Sequence, residues 1–195
     1  MFRFQANAVT ACLFLLTWPA WGQQGEPEPA PLAFAEVVQA DGVHQDELYM
    51  RAKVWFAAAF VDSKQVLEVE DKVEGSLVGK GSIPYEPRAL RLMPLRGVIV
   101  FTLMIMVKDG RFRYELSNFR HRGSESFVPG LGTIPPVDFG LITASAEPPK
   151  IEKLWEKQKQ KAWEQMKQLS QLEAIRLIAS LKTGMQTSSQ GPEAW

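Results

Sequence analysis

The chain has 195 residues, 46% of them hydrophobic and 23% charged, and its 22 basic and 22 acidic residues give a formal net charge of zero. This composition excludes a wholly disordered chain, and a single cysteine excludes a disulfide-stapled scaffold. The even balance of charge creates no overall field that would attract nucleic acid or an acidic membrane. No apolar run reaches the roughly 18 residues of a transmembrane helix, so the length predicts one globular domain with tails.

Residues 1–22 predict a secretory signal peptide. Residues 8–16 are uncharged and apolar, Pro19 breaks the segment, and the small residues Ala20 and Gly22 occupy positions −3 and −1 of a cleavage site. The apolar stretch is too short to span a bilayer. The alternatives are a buried core segment or an uncleaved anchor. We expect an exported protein, either periplasmic or secreted.

Cys12 lies in a segment, residues 9–12, that has the residue types of a lipoprotein cleavage box. Most of the hydrophobic stretch follows this cysteine instead of preceding it, so the sequence argues against a lipoprotein. Residues 23–31 contain three prolines and no core-forming residue, which predicts an extended linker.

A strand is predicted over residues 32–40 and a helix from His44 onwards. In the helix an apolar stripe, widened by aromatic residues, predicts a broad buried face. Four of its aromatic residues could instead line a small-molecule cavity between sheet and helices; they are Tyr49, Trp55, Phe56 and Phe60. Aromatic residues at helical spacing more often form the core, so the cavity is the less favoured interpretation.

Two further strands are predicted over residues 65–70 and 73–85, followed by a Pro-containing loop. The clearest local signal is Asp109-Gly110, the favoured two-residue type I′ hairpin turn, which joins strands 97–107 and 111–119. The register of that turn is predicted to pair Val107 with Phe112, Ile105 with Tyr114, Leu103 with Leu116 and Phe101 with Asn118 on the core face. It pairs Met106 with Arg113, Met104 with Glu115 and Thr102 with Ser117 on the other face.

The face of this hairpin away from the core is unusually apolar, and it is the candidate interaction face. Its predicted members are Val98, Val100, Met104, Met106, Arg113, Glu115 and Phe119. A sheet covered by helices on one side normally keeps its other side polar. Either the C-terminal helix or another chain must therefore cover this face, and an open apolar patch of this kind marks an interaction site.

The C-terminal third begins with a Gly/Pro-rich loop, residues 123–146, for which Phe127, Phe139 and Ile142 are the expected anchors. A long helix is predicted over residues 147–182, with a disordered tail over 183–195. Six lysines and three glutamates between residues 150 and 167 indicate a solvated helix face; contact with a membrane surface or a partner is the alternative.

Four motifs occur in order between residues 34 and 122. They are His44-Gln45-Asp46-Glu47-Leu48-Tyr49 with Arg51-Ala52 and Trp55, then Asp62-Ser63-Lys64-Gln65-Val66, then Gly79-Lys80-Gly81, and Val107-Lys108-Asp109-Gly110-Arg111-Phe112-Arg113-Tyr114. Together they resemble a bacterial domain-of-unknown-function family with a TBP-like (TATA-binding-protein-like) fold. The resemblance implies an α+β domain over residues 32–122, with a β-α-β-β-β-β core, a curved antiparallel sheet and helices on one face, in secreted or envelope-located proteins. It implies no activity and no catalytic residues. His44 departs from the small capping residue expected at the start of this helix.

No motif predicts a catalytic site, a metal site or a cofactor. The two histidines, His44 and His121, lack partners at metal-ligand spacing, and His121 lies in a basic segment expected to be solvated. Gly79-Lys80-Gly81 lacks the rest of a phosphate-binding loop, and residues 123–126 lack the second glycine of a nucleophile elbow. An acidic cluster, Glu68, Glu70, Asp71 and Glu74, could bind a divalent cation, but a solvated turn is the default interpretation.

These observations favour an exported, non-enzymatic binding or interaction module. Its partner would be an envelope protein or a second copy of the chain. The first alternative is a small-molecule-binding protein or enzyme. The second is nucleic-acid binding by analogy with the fold's namesake, against which the neutral charge and predicted export both argue.

Overall fold

The computed structural model describes residues 29–59, 66–130, 132–151 and 156–186. The predicted signal peptide, the first six residues of the predicted linker and Phe60 lie outside this range. The elements in chain order are β1 (Phe34–Gln39), α1 (Gln45–Ala59), β2 (Val66–Asp71), β3 (Ser76–Tyr85), a short 3-10 helix (Leu90–Leu95), β4 (Gly97–Lys108), β5 (Arg111–Gly123), β6 (Ser126–Val128), β7 (Gly132–Ile134), β8 (Gly140–Leu141) and α2 (Glu156–Gln186). The predicted β-α-β-β-β-β order is confirmed, and further short strands follow it.

The main sheet is antiparallel with strand order β1-β5-β4-β3-β2, and β8 pairs with the far end of β5. The Asp109-Gly110 turn connects β4 to β5 as predicted. Gly110 has a positive φ of 72°, but Asp109 does not have a positive φ, so the turn is not of the predicted type I′, which needs a positive φ at both residues. The predicted register near the turn is confirmed on both faces of the hairpin. The turn chemistry therefore sets which side chains of β4 and β5 face the core.

Both helices pack on the same face of the sheet. That face carries the buried members of the strands, which alternate with half-exposed residues along β3, β4 and β5. The helices contribute Leu48, Ala52, Trp55 and Phe56 from α1, and Ala162, Trp163, Met166, Leu177 and Leu181 from α2. Each large side chain buried in this way stabilises the fold by about 1.5–3 kcal/mol.

The start of α1 is capped by a residue from another element. The backbone N–H of Gln45 donates to Asp109 Oδ1 at 2.7 Å, so the hairpin turn supplies the cap that His44 cannot. The turn is held there by Gly110 N–H, which donates to the Val43 carbonyl at 2.9 Å, and by Ala40 N–H, which donates to the Gly110 carbonyl at 2.8 Å.

Two hydrogen bonds and one buried side chain fasten the end of α2 to the rest of the fold. Lys182 Nζ donates to Glu36 Oε2 at 2.7 Å and lowers the pKa of that exposed carboxyl, which also accepts the Tyr114 hydroxyl proton at 2.6 Å. Arg51 donates to the Met185 carbonyl at 2.8 Å. Met185 is buried, so the expected disordered tail beginning at residue 183 is wrong as far as Gln186, where the helix ends. Within the described ranges no helix is long and apolar enough to cross a membrane.

The predicted linker and the Gly/Pro-rich loop are also more ordered than expected where the structure describes them. Pro31 forms an isolated bridge with Thr143, and Leu32 N–H donates to the Ile142 carbonyl at 2.9 Å. Ile142 is buried as expected, whereas Phe127, another expected anchor, is 74% exposed on the β6–β7 hairpin. Paired backbone and the buried side chains of Phe139 and Ile142 therefore organise this region together.

Candidate interaction surface

The face of the main sheet opposite α1 and α2, here called the open face, carries a column of apolar side chains along β4. Val98, Val100, Met104 and Met106 all alternate with fully buried residues and are themselves only partly covered. Both helices lie on the other side of the sheet, so within the described part of the chain this column has no helix over it. α2 therefore does not cover this face, because it packs on the core side of the sheet.

The apolar column extends sideways across neighbouring strands. Register places Met104 beside Val78 of β3, and Val78 beside Val69 of the edge strand β2, which is 49% exposed. On the other side, Met106 pairs with Arg113, and Arg113 pairs with Val37 of β1, which is 52% exposed. The apolar band therefore runs along β4 and across β3 to β2, whereas towards β1 it is interrupted by Arg113, which lies between Met106 and Val37.

A shallow hollow lies at the hairpin end of this band. It has a volume of about 290 Å³ and is lined by Val37, Met106, Lys108, Arg111, Phe112 and Arg113. Its apolar members are Val37, Met106 and Phe112, and its basic members are Lys108, Arg111 and Arg113. A depression of this kind could receive one apolar side chain of a partner beside an anionic group.

The open face carries more basic than acidic side chains. Two carboxylates of this face bind cations, since Arg113 donates to Glu115 at 2.7 Å and Lys80 to Glu68 at 2.7 Å. A third, Asp71, accepts two backbone N–H groups of the β2–β3 turn. Four other basic residues of this face have no carboxylate partner among the described residues; they are Lys108, Arg111, Arg120 and Arg122. The sequence as a whole is neutral, so the positive excess is a property of this face.

The structure corrects one predicted member of the interaction face. Phe119 is fully buried on the core side, where it stacks on Phe101 at 5.4 Å between ring centroids. The cause is a β-bulge, because Val100 pairs with Arg120 while Thr102 pairs with Ser117, which leaves one extra residue in β5. The predicted pairing of Phe101 with Asn118 is therefore wrong.

Asn118 provides the backbone geometry of this bulge. Its φ is +57°, a left-handed conformation that asparagine tolerates better than most residues. Beyond the bulge the alternation is shifted by one residue, so Arg120 and Arg122 join the open face while His121 turns inward. An asparagine inside an otherwise alternating strand is the signal by which sequence reasoning could have found this shift.

The residues considered for a cavity between sheet and helices lie in packed core instead. Tyr49, Trp55 and Phe56 are buried, and Trp55 donates through Nε1 to Ser180 Oγ at 3.0 Å. The Trp55 ring is covered by the backbone of α2 at Gly184, where an added Cβ would come within 2.7 Å of the ring. This part of the cavity hypothesis therefore has no open space to support it.

His121 is also placed differently from the expectation of a solvated basic cluster. It is fully buried, with Nε2 3.0 Å from the Leu95 carbonyl, and its Nδ1 accepts the Phe139 backbone N–H at 3.2 Å. Since Nδ1 accepts, the ring is neutral with its proton on Nε2. Burial lowers the pKa of His121, so this residue joins β5 to two loops and is not a surface charge.

The acidic residues around the β2–β3 turn bind different partners and do not form one cluster. Glu68 binds Lys80, Glu70 binds Lys53 at 2.6 Å, and Asp71 Oδ1 accepts the backbone N–H groups of Val73 and Glu74. In the described residues no three His, Cys, Asp or Glu side chains converge as a metal site would require. These carboxylates serve the local turn and its neighbouring strands.

Comparisons with known proteins agree with this architecture. Residues 34–122 match the family described as "Domain of unknown function (DUF4468) with TBP-like fold", which confirms the resemblance seen in the sequence. The chain is similar to the crystal structure of a TBP-like protein from Parabacteroides distasonis, with a TM-score of 0.58 and 11% identity over 82% of this chain and 95% of that one. It is also similar to a DUF4468 family protein from Bacteroides ovatus, with a TM-score of 0.51 and 14% identity over 83% of this chain and 90% of that one. At these identities the likeness shows the fold alone. No curated protein matches the chain.

Proposed function

We propose that this chain, whose residues 34–122 form a DUF4468 domain, is an exported, non-enzymatic binding module. Its open face receives a segment of a partner protein that carries both apolar and acidic side chains. The observation that carries this proposal is the partly exposed apolar column of β4 lying beside basic residues of β5 that have no carboxylate partner in the described part of the chain.

The apolar band supports association because it has no helix over it in the described residues. A monomeric protein rarely exposes contiguous apolar surface without using it. Met104 and Met106 are at its centre, and methionine side chains adapt their shape to different partner surfaces. Burial of apolar area against a partner would supply the main favourable free energy.

The basic residues support an acidic partner. Arg120 and Arg122 lie at one end of β5, while Lys108 and Arg111 flank the turn at the other end. A partner segment with carboxylates would find cations at both ends of the apolar column. Such complementarity raises the association rate and makes it dependent on salt.

Export is supported by the N-terminal sequence. The apolar stretch over residues 8–16 and the small residues before Gln23 have the layout of a cleavable signal. An exported partner or another envelope protein is then the kind of molecule that the open face would meet.

The test is a capture experiment with three versions of the purified, immobilised protein and nuclease-treated envelope extract from the native bacterium. The first is the wild type, the second carries Met104→Lys and Met106→Lys on the open face, and the third carries Met50→Lys and Val54→Lys. Met50 and Val54 are 45% and 57% exposed on α1, so the third version adds the same charge to the opposite side of the molecule.

We expect a protein that is retained by the wild type and by the α1 control, lost from the open-face variant, and released by raised salt. Equal retention on all three versions would contradict the proposal. Sedimentation of the wild type that shows a concentration-dependent dimer, absent from the open-face variant, would identify a second copy as the occupant and overturn the acidic partner. Tight binding of duplex DNA with a steep salt dependence would replace the proposal with nucleic-acid recognition.

A further inference from the structure

A groove separate from the open face lies between the loop after β3 and one side of α2. Its volume is about 410 Å³, which falls within the ~300–1,000 Å³ typical of small-molecule sites. The loop contributes Glu86, Pro87, Arg88, Ala89 and Leu92, and α2 contributes Lys161, Gln165, Gln168, Leu169 and Leu172; Tyr85 lies at the junction. We call this site the α2 groove.

The floor of the α2 groove is apolar. Leu92 is buried beneath it and Leu169 packs against the core, whereas Leu172 is 65% exposed at its edge. Leu172 shares this exposure with Ile175, which is 63% exposed on the same helix, but unlike Ile175 it lines the groove. It is placed to cover an apolar ligand.

The polar groups around the floor are of two kinds. The Tyr85 hydroxyl donates to Gln165 Oε1 at 3.0 Å, and burial raises the pKa of Tyr85 to about 12, so this pair is neutral. The Glu86 carboxylate accepts from Arg96 at 3.0 Å and is already neutralised. The acceptors of the groove are therefore occupied by partners from the protein itself.

The two remaining charges are both positive. Arg88 and Lys161 are exposed on opposite sides of the groove, one on the loop and one on α2, and neither has a carboxylate partner in the described residues. A guanidinium offers a planar pair of N–H donors that matches a carboxylate, and an ammonium adds a second charge-assisted contact.

We propose that the α2 groove binds a single-chain amphipathic carboxylate, such as a medium-chain fatty acid. The carboxylate binds between Arg88 and Lys161, and the alkyl chain lies along Leu92, Leu169 and Leu172. The site is independent of the open face, because it lies on the side of the sheet that carries the helices.

The test is calorimetric titration of the purified protein with decanoate, and with decanol as the uncharged chain of the same length. The variant Arg88→Gln with Lys161→Gln removes both cations. The matched control, Lys53→Gln with Arg176→Gln, removes one lysine and one arginine that line neither the α2 groove nor the hollow on the open face. Leu172→Glu places a carboxylate at the edge of the groove, and thermal unfolding checks that each variant folds.

We expect saturable one-site binding of decanoate to the wild type and to the control, and binding at least about tenfold weaker in the groove variant and in Leu172→Glu. Decanol should bind the wild type more weakly than decanoate does. The proposal is overturned if decanoate does not saturate a site, if the groove variant binds as well as the control, or if decanol and decanoate bind the wild type equally.

Discussion

The contact between Gly184 of α2 and Trp55 of α1 provides a sharp test of how the two helices pack. Gly184 is in a helix, where alanine is normally the better residue, yet an added Cβ would lie 2.7 Å from the Trp55 ring carbon Cδ1 and 3.3 Å from its Cβ. The indole cannot swing away freely, because its Nε1 donates to Ser180 Oγ at 3.0 Å and its ring makes an edge-to-face contact with Phe56 at 5.4 Å. Replacement of Gly184 by alanine must therefore disturb the helix pair.

Two opposing effects set the size of this disturbance. Alanine in a helix is favoured over glycine by about 0.5–1 kcal/mol. Overpacking of a filled site typically costs about 1–3 kcal/mol. We therefore expect Gly184→Ala to lower the free energy of unfolding by about 1 kcal/mol, the difference between the two effects. When Trp55 is truncated the clash disappears and only the helix propensity remains.

The assay is a double-mutant cycle measured by urea unfolding. Trp55→Ala alone should lower the free energy of unfolding by about 3–5 kcal/mol, because it removes a large core side chain. Trp55→Leu provides a milder background. In the Trp55→Ala background Gly184→Ala should stabilise the protein by about 0.5–1 kcal/mol, which gives a coupling free energy of about 1–3 kcal/mol. In the Trp55→Leu background, which keeps carbons at the Cγ and Cδ1 positions of the indole, part of the clash should remain. Stabilisation by Gly184→Ala of the same size in all backgrounds would refute the close packing of α1 and α2.

Two further predictions concern the hydrogen bonds of Asp109 and His121, and a third concerns the predicted signal peptide. Asp109→Ala should lower the free energy of unfolding by about 1 kcal/mol in urea titrations, because Gln45 loses its cap, while Asp109→Asn should retain most of that stability; equal losses would contradict the capping role. Burial lowers the pKa of His121 in the folded state, so its contribution to the free energy of unfolding should be complete above about pH 6.5 and should decrease as the pH falls below that value, by up to about 1.4 kcal/mol per pH unit. The free energy of unfolding of His121→Gln should lack this slope between about pH 6.5 and 5. An unchanged slope would show that other groups cause it. N-terminal sequencing of the exported protein should begin at or near Gln23, and an intact N-terminus or a lipidated Cys12 would contradict the predicted cleavage.

The sequence predicts the fold well where a local rule acts. The Asp109-Gly110 turn determines the register of β4 and β5, and the aromatic stripe identifies the buried side of α1. The helix start could not be predicted in the same way. Its cap comes from Asp109, 64 residues away from Gln45, and no local pattern reports a contact over that distance.

Six of the seven residues that the sequence predicts for the interaction face lie on the open face of the sheet. The seventh, Phe119, follows a bulge at Asn118 that shifts the alternation by one residue. The same shift buries His121, which an unbroken alternation would have placed on the open face, on the side opposite to Arg120 and Arg122. The two-residue alternation of a strand does not show where the strand gains an extra residue. The positions of Arg120 and Arg122, beyond the bulge in β5, therefore could not be predicted from the sequence.

Methionine oxidation, read residue by residue with mass spectrometry, tests most directly whether the sheet has an open face. Met50 is 45% exposed and serves as the exposed reference, while Met166 and Met185 are at most 1% exposed and serve as the buried references. In dilute purified protein treated with peroxide, we predict that Met104 and Met106 oxidise at rates close to that of Met50 and far above those of the buried pair. Protection of Met104 and Met106 to the level of Met166 would show that another part of the chain covers this face, and it would contradict the account of the face as a binding surface.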